Sequence, residues 1–227
     1  MVLDRLTQIG ALLADRTRGQ MLIVLMDGRA RTGGELARFG GVAPSTASEH
    51  LARLIDAGLI TVEAQGRHRY FRLADADVAH MLESLGAARL PERETAGATA
   101  NAPPELTYAR SWYDHLAGRL AVEIYDRLLA DGHLRLSDGH LTVAASGEAL
   151  LAGLGVDVSR LDIARRPAAR SCLDWTERRH HLAGAAGAAL FGALLERGWL
   201  VRGQRPRSVR VTNAGQDGLR RIVGLPR

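Results

Sequence analysis

The chain of 227 residues contains no lysine, so all 30 of its basic residues are arginine. This usage suggests a GC-rich genome more than a function, although arginine also binds phosphate through two parallel hydrogen bonds. The single cysteine, Cys172, excludes an intrachain disulfide and favours a reducing cytoplasm. The longest stretch of small and apolar residues, Leu182 to Leu195, is too short to span a bilayer. A signal peptide is not recognisable, so we expect a cytoplasmic protein without a membrane partner.

Sequence motifs of the common enzyme classes are missing as well. There is no Gly-rich phosphate loop, no G-x-S-x-G, no H-E-x-x-H and no pair of cysteines at metal-binding spacing. The carboxylates are scattered along the chain, so we expect no enzymatic activity and can assign no cofactor. The net charge of +5 fits a nucleic-acid partner, but does not by itself establish one.

The stretch from Thr32 to Leu73 predicts a helix, a turn, a second helix and a β-hairpin, which are the parts of a winged helix-turn-helix. In the second helix, apolar residues recur at helical spacing on one face. The opposite face carries short polar side chains, which suit base edges and phosphates in a DNA major groove. We therefore predict that this helix contacts double-stranded DNA through Ser45, Thr46, Ser48, Glu49, His50 and Arg53.

The predicted hairpin, or wing, carries a basic tip. Strands are expected at Leu59–Val62 and Tyr70–Leu73, and the turn between them is followed by Arg67, His68 and Arg69. A tip of this kind suits phosphate or minor-groove contacts, so we assign these three residues to DNA binding.

Four blocks in the same order resemble the ArsR-type winged helix-turn-helix repressors of bacteria. They are Glu35–Ala37, Ser45–Leu51, Ala57–Ile60 and Gly66–Leu73, and the resemblance covers about the first 90 residues. It implies a homodimer, paired through the first helix and the helix after the wing, that releases its operator when an effector binds. The alternative is a winged-helix sensor or interaction protein that does not read DNA sequence.

The metal sites of that family do not carry over to this sequence. The helix that begins near Glu35 has no cysteine, and Asp77 and His80 after the wing lack a second ligand pair. We therefore assign no metal site, and the effector is unknown.

Composition places a linker at residues 91–104, between a DNA-binding and dimerisation domain at 1–90 and a regulatory domain at 105–227. The expected fold class is mainly α with small β-hairpin wings (α+β). In the second domain, one helix is predicted over Leu106–Ala130. The tail from Leu182 onward predicts a second winged-helix-like unit whose recognition helix has no polar face.

Two groups of residues are effector candidates. Trp112 and Tyr113 belong to an aromatic stripe on the predicted helix over Leu106–Ala130, which suits either a core or a flat organic ligand. The second group is Cys172, Glu177 and His181, around a helix predicted to begin at Asp174. A structural role, a redox-sensitive thiol and a metal site remain open for it.

Overall fold

Helices alternate with short antiparallel hairpins throughout the computed structural model, which describes residues 2–87, 104–161 and 166–224. The α+β fold class is therefore confirmed. The chain divides into two compact units, Met1–Gly86 and Ala87–Arg227, referred to below as the N-terminal and C-terminal domains. The predicted linker, apart from Pro104, lies outside the described residues. Within the described part of the chain, no helix combines the length and the apolar character needed to cross a membrane.

The N-terminal domain has the predicted order of a winged helix-turn-helix. Its three strands form one antiparallel sheet in the order β1-β3-β2. Its elements are α1 (Val2–Leu13), α2 (Arg16–Leu25), β1 (Arg31–Thr32), α3 (Gly33–Gly40), α4 (Pro44–Asp56), β2 (Ile60–Gln65), β3 (His68–Leu73) and α5 (Ala76–Ala87).

Local signals set where the two central helices begin. Thr32 caps α3: its hydroxyl accepts a hydrogen bond from the Glu35 amide, and the Glu35 carboxylate accepts one from the Thr32 amide, which completes a capping box. The α4 helix begins with Pro44 in its first turn, where a missing amide hydrogen costs nothing. These two starts define the helix-turn-helix.

Over residues 104–161 and 166–224, the C-terminal domain consists of helices joined by four two-stranded hairpins, β4–β5, β6–β7, β8–β9 and β10–β11. Its elements are α6 (Pro104–Thr107), β4 (Arg110–Trp112), β5 (His115–Ala117), α7 (Arg119–Ala130), β6 (Leu134–Ser137), β7 (His140–Val143), α8 (Ala145–Gly153), β8 (Arg170–Leu173), β9 (His180–Ala183), α9 (Gly184–Glu196), β10 (Leu200–Arg202), β11 (Val209–Val211) and α10 (Asn213–Val223).

The prediction of one helix over Leu106–Ala130 is wrong, because the β4–β5 hairpin occupies its first half. Gly118 ends the hairpin with a φ of +92°, and a Cβ atom there would lie 2.8 Å from the carbonyl oxygens of Thr107 and Tyr108. Only from Arg119 does the chain continue as α7.

The helix predicted to begin at Asp174 is also absent. Residues 170–183 form the β8–β9 hairpin, in which Cys172 lies opposite His181 in the register. The Asp174 carboxylate does accept hydrogen bonds from the amides of Thr176 and Glu177, but within a turn rather than a helix start.

The helices α7 and α9 lie at the centre of the C-terminal core. The predicted order of the tail is confirmed, with α9 followed by the β10–β11 hairpin and α10. As expected, α9 has no polar face and belongs to the core. Its buried residues are Gly184, Ala185, Ala186, Gly187, Leu190, Phe191, Ala193 and Leu194.

Candidate functional site

The helix α4 presents a polar face on the surface of the N-terminal domain. Its other face packs into the core through Ala47, Leu51 and Leu54, each at most 3% exposed. Thr46 lies half-buried between the two faces. Because α4 is anchored by its apolar side, it can present short polar groups to a groove of DNA. The exposed predicted residues are Ser45, Ser48, Glu49 and Arg53.

His50 is the predicted DNA-binding residue that the structure places differently. Its side chain is half-buried, with Nδ1 3.3 Å from Nη1 of Arg18 and 3.8 Å from Oδ1 of Asp15. The Arg18 guanidinium is buried and also donates hydrogen bonds to the carbonyl oxygens of Ala11 and Leu12. His50 therefore joins α4 to Arg18 of α2, which in turn contacts the end of α1, a role that helical periodicity did not reveal.

The tip of the wing is basic and exposed, as predicted. Gly66 and Arg67 form a two-residue turn, in which Gly66 has the positive φ (+57°) that such turns require at their first position. Arg67, His68 and Arg69 all lie on the surface. The Arg69 guanidinium is 5.5 Å from the centre of the Phe71 ring, so a buried side chain helps to orient it.

Apolar side chains are exposed on α1 and α5, the two helices implied in dimerisation. Leu3 and Leu6 on α1 are 74% and 65% exposed, and Leu85 on α5 is 53% exposed. Large apolar side chains exposed on two helices in this way fit an interface with another protein.

The arginines of the C-terminal hairpin β10–β11 are largely engaged within their own domain. Arg205 forms an ion pair with Glu105 at 2.8 Å. The guanidinium of Arg207 lies 4.1 Å from the centre of the Trp112 ring. These contacts stabilise Arg205 and Arg207 within the C-terminal domain.

A buried ion pair joins two hairpins of the C-terminal domain. Nη2 of Arg110 donates to Oδ2 of Asp174 at 2.7 Å, and both side chains are at most 1% exposed. The Gly118 amide donates to the same oxygen at 2.7 Å. Burial by itself raises the pKa of Asp174, but the charge and hydrogen bonds of Arg110 outweigh it and hold this pKa well below its usual range.

Next to this pair, three potential metal ligands meet in the interior. The Nε2 atoms of His115 and His181 are 3.2 Å apart, and their rings stack with centres separated by 5.1 Å. The ligand atoms of His115, Cys172 and His181 all lie within 4.8 Å of one another. Burial, together with the neighbouring His115, lowers the pKa of His181 well below its usual value, so this imidazole is neutral at pH 7.

The structure places the predicted effector residues at two separate positions in the C-terminal domain. The structure brings Cys172 and His181 together, but not with Glu177, which lies half-buried in the turn between their strands. Cys172 is 3% exposed in the middle of β8, so the prediction of a thiol at a helix N-terminus is wrong. Trp112 and Tyr113 lie at the β4–β5 turn instead of on a helix.

His115 was missed because it is 66 residues from His181 in the chain and had been placed within a predicted helix. Arg110 was missed for a similar reason, since its partner Asp174 follows 64 residues later. Neither contact leaves a periodic signal in the sequence.

Known proteins resemble this chain over two different lengths. Residues 15–69 match a family model described as MarR family. The uncharacterized HTH-type transcriptional regulator YdfF of Bacillus subtilis is 40% identical over 211 residues, which is 93% of each chain. The HTH-type transcriptional regulator CmtR of Mycobacterium tuberculosis is 38% identical over 80 residues, or 35% of this chain and 67% of CmtR.

Among solved structures, the homodimeric winged helix-turn-helix DNA-binding domain of Mb0332 from Mycobacterium bovis, described as a possible ArsR-family regulator, is 32% identical. The match covers 37% of this chain and 77% of the Mb0332 chain, with a TM-score of 0.35.

Proposed function

We propose that this chain, which belongs to the HTH-type transcriptional regulators, is an effector-responsive repressor of the ArsR type that binds a pseudo-palindromic operator as a homodimer. That it is a DNA-binding regulator follows from the family. The repressor role, the dimer, the ArsR subclass and the response to an effector are the proposal. The C-terminal domain is the proposed site of effector sensing.

The observation that carries the proposal is the arrangement of α4 and the wing. The exposed polar face of α4 and the exposed arginines of the wing are both presented by one small, well-packed domain. In this arrangement α4 reads base edges in the major groove, and Arg67 and Arg69 bind phosphates or the minor groove beside it. The C-terminal hairpin and α9 offer no comparable surface, so base reading belongs to the N-terminal domain.

The homodimer is supported by the exposed apolar residues of α1 and α5. A single recognition helix contacts few base pairs, and a second copy supplies the affinity that one copy lacks. Pairing through Leu3, Leu6 and Leu85 would bury these side chains. The two α4 helices of such a dimer would have to lie about one turn of DNA apart to read two half-sites. The buried Arg18 contacts both the end of α1 and His50 of α4, so it would hold the reading helix in a defined position relative to the interface.

The ArsR assignment is supported by the four sequence blocks and by the exposed leucines of α1 and α5. The matched family model covers only residues 15–69 and therefore includes neither α1 nor α5. The pairing of the first helix with the helix after the wing distinguishes the proposed ArsR arrangement, and it can be tested directly by cross-linking engineered cysteines at Leu6 and Leu85.

Selection of bound fragments from genomic DNA tests the proposal as a whole. We expect enrichment of a short promoter sequence with approximate twofold symmetry, bound by two copies of the chain. A variant carrying Ser45→Ala and Ser48→Ala should shift the preferred sequence, because both hydroxyls lie on the exposed face. The exposed Ser159 of the C-terminal domain provides a matched control, and Ser159→Ala should leave the preference unchanged. Enrichment no greater than that of random DNA would contradict sequence-specific binding.

A further inference from the structure

The facing imidazoles of His115 and His181 are spaced as two ligands of one metal ion. Their Nε2 atoms are 3.2 Å apart. Two nitrogens bound to a tetrahedral ion at roughly 2.05 Å each would be separated by about 3.3 Å. An ion could therefore be placed between these two rings with little movement of either side chain.

Carboxylates next to the Nδ1 atoms of the two rings also favour metal binding by the Nε2 atoms. Nδ1 of His115 is 3.3 Å from Oδ1 of Asp114, and Nδ1 of His181 is 3.8 Å from Oδ2 of Asp174. Asp114 lies at hydrogen-bond distance and Asp174 acts through its charge alone, and each favours a proton on the Nδ1 atom that it faces, which leaves a lone pair on Nε2. Two such lone pairs repel each other at 3.2 Å, whereas a cation between them attracts both. Histidine ligands of metal ions are commonly backed by carboxylates in this way.

Cys172 supplies the third ligand and determines the class of metal. It lies opposite His181 in the β8–β9 register, and its Sγ atom belongs to the same group of ligand atoms, all within 4.8 Å of one another. A thiolate with imidazoles favours soft or borderline ions over Mg²⁺ or Ca²⁺, which prefer oxygen ligands. We propose that His115, Cys172 and His181 form a binding site for one thiophilic divalent cation of the Zn²⁺ and Cd²⁺ class.

Binding is a ligand exchange without a redox step. The Cys172 thiol loses its proton to solvent, its sulfur forms a bond to the ion, and each of the two imidazoles donates the lone pair of its Nε2 atom. One proton is therefore released per ion bound, and the apparent affinity rises with pH while the thiol is protonated in the metal-free protein. A fourth donor would complete a tetrahedron.

Spectroscopic titration of the full-length, unmodified chain tests the site directly. Co²⁺ replaces Zn²⁺ and absorbs visible light strongly when it is tetrahedral, and Cd²⁺ bound to a thiolate shows an ultraviolet charge-transfer band. Because Cys172 is the chain's one cysteine, any such charge-transfer band reports on this residue. We expect both signals to saturate at one ion per chain. Saturation without a thiolate band, or no saturable binding, would overturn the proposal.

Variants then identify the ligands. We expect Cys172→Ser, His115→Gln and His181→Gln each to weaken binding by more than about 100-fold, and Asp114→Asn by roughly 10–100-fold, as is typical of groups that orient a ligand. The matched control is His180→Gln, because His180 precedes His181 on β9 but points to solvent. Its affinity should equal that of the parent. Parent-like affinity in Cys172→Ser, or an equal loss in His180→Gln, would contradict the assignment.

Circular dichroism of each metal-free variant separates loss of binding from loss of folding. Should the variants fail to fold, protection of Cys172 from alkylation by Cd²⁺ in the parent protein still decides the question. Cd²⁺ should slow the reaction in proportion to occupancy, and an unchanged rate at saturating Cd²⁺ would refute the site. None of these measurements involves DNA, so their outcome is independent of the proposed function.

Discussion

Replacing Asp174 by alanine should strongly destabilise the C-terminal domain while sparing the N-terminal domain. The Asp174 carboxylate accepts hydrogen bonds from Arg110, from the Gly118 amide and from both the amide and the hydroxyl of Thr176, at 2.7–2.9 Å. It thereby connects the β8–β9 turn to β4 and to the residue that precedes α7. Alanine removes the acceptor of all of these hydrogen bonds at once.

The size of the loss in unfolding free energy follows from the charge of Arg110, which remains buried after the substitution. Arg110 is 0% exposed, and without Asp174 its buried charge loses the carboxylate with which it forms an ion pair. Breaking one side of a buried ion pair costs about 3–5 kcal/mol. Because a domain of this size has a free energy of unfolding of about 5–15 kcal/mol, the variant should lose between a fifth and all of its stability.

Tryptophan fluorescence during urea unfolding measures this loss selectively. All three tryptophans, Trp112, Trp175 and Trp199, lie in the C-terminal domain, so the signal reports on that domain alone. The midpoint for Asp174→Ala should move to much lower urea, or the transition should vanish. The control is Asp126→Asn, which breaks an exposed ion pair with Arg179 and should cost at most about 1 kcal/mol. A loss below about 1 kcal/mol in Asp174→Ala would refute the reasoning.

The same pair makes the stability of the C-terminal domain depend on pH. The folded pKa of Asp174 is lowered, so its contribution is complete above the unfolded pKa of about 3.9 and is lost as the pH falls toward the folded value. Urea midpoints of the parent should therefore fall steeply below about pH 4. Those of a variant that combines Arg110→Met with Asp174→Ala should fall less steeply over the same range.

Three further predictions concern the N-terminal domain. Arg67→Ala should weaken binding to all DNA sequences and reduce the slope of log affinity against log salt concentration by about 0.9 for one lost phosphate contact. Arg135 is exposed in the C-terminal domain, and the control Arg135→Ala should leave this slope unchanged. An unaltered slope for Arg67→Ala would exclude a phosphate contact. Leu6→Glu should give a folded monomer in sedimentation, because Leu6 contributes to no core, and a stable dimer would place the interface elsewhere. Thr32→Ala should cost about 0.5–2 kcal/mol. It should raise the lowered pKa of Glu35 only in part, because alanine keeps the amide that lowers this pKa most and removes the hydroxyl, as NMR titration can measure.

The sequence predicts the N-terminal domain well because its determinants are local. The apolar spacing of Ala47, Leu51 and Leu54 orients α4, and the short turn at Gly66 and Arg67 sets the register of the wing. The exception is His50, whose spacing puts it beside the exposed face although Arg18, 32 residues earlier, holds it half-buried. Periodicity assigns a face to a side chain, but not a partner from another helix.

The C-terminal domain was harder because its determinants are distant in the chain. Leu116, Leu120, Ile124 and Leu128 recur at helical spacing, yet Leu116 belongs to a strand and only the later three lie on α7. The positive φ of Gly118 and the hydrogen bond from its amide to Asp174 separate the strand β5 from the helix α7. Such a boundary is set by tertiary contacts, which override the local preference of these residues for a helix.

Because Cys172 is buried, its rate of alkylation can report on local opening of the protein. The thiol is buried in β8, so an alkylating reagent reacts with it only after this hairpin or the whole domain opens. When opening and closing are fast relative to the reaction, the rate measures the fraction of open molecules. An opening free energy of about 5 kcal/mol would slow alkylation several thousandfold relative to a free thiol. Exchange dynamics at the centre of the C-terminal domain can thus be followed by mass spectrometry on the natural sequence, without an introduced label.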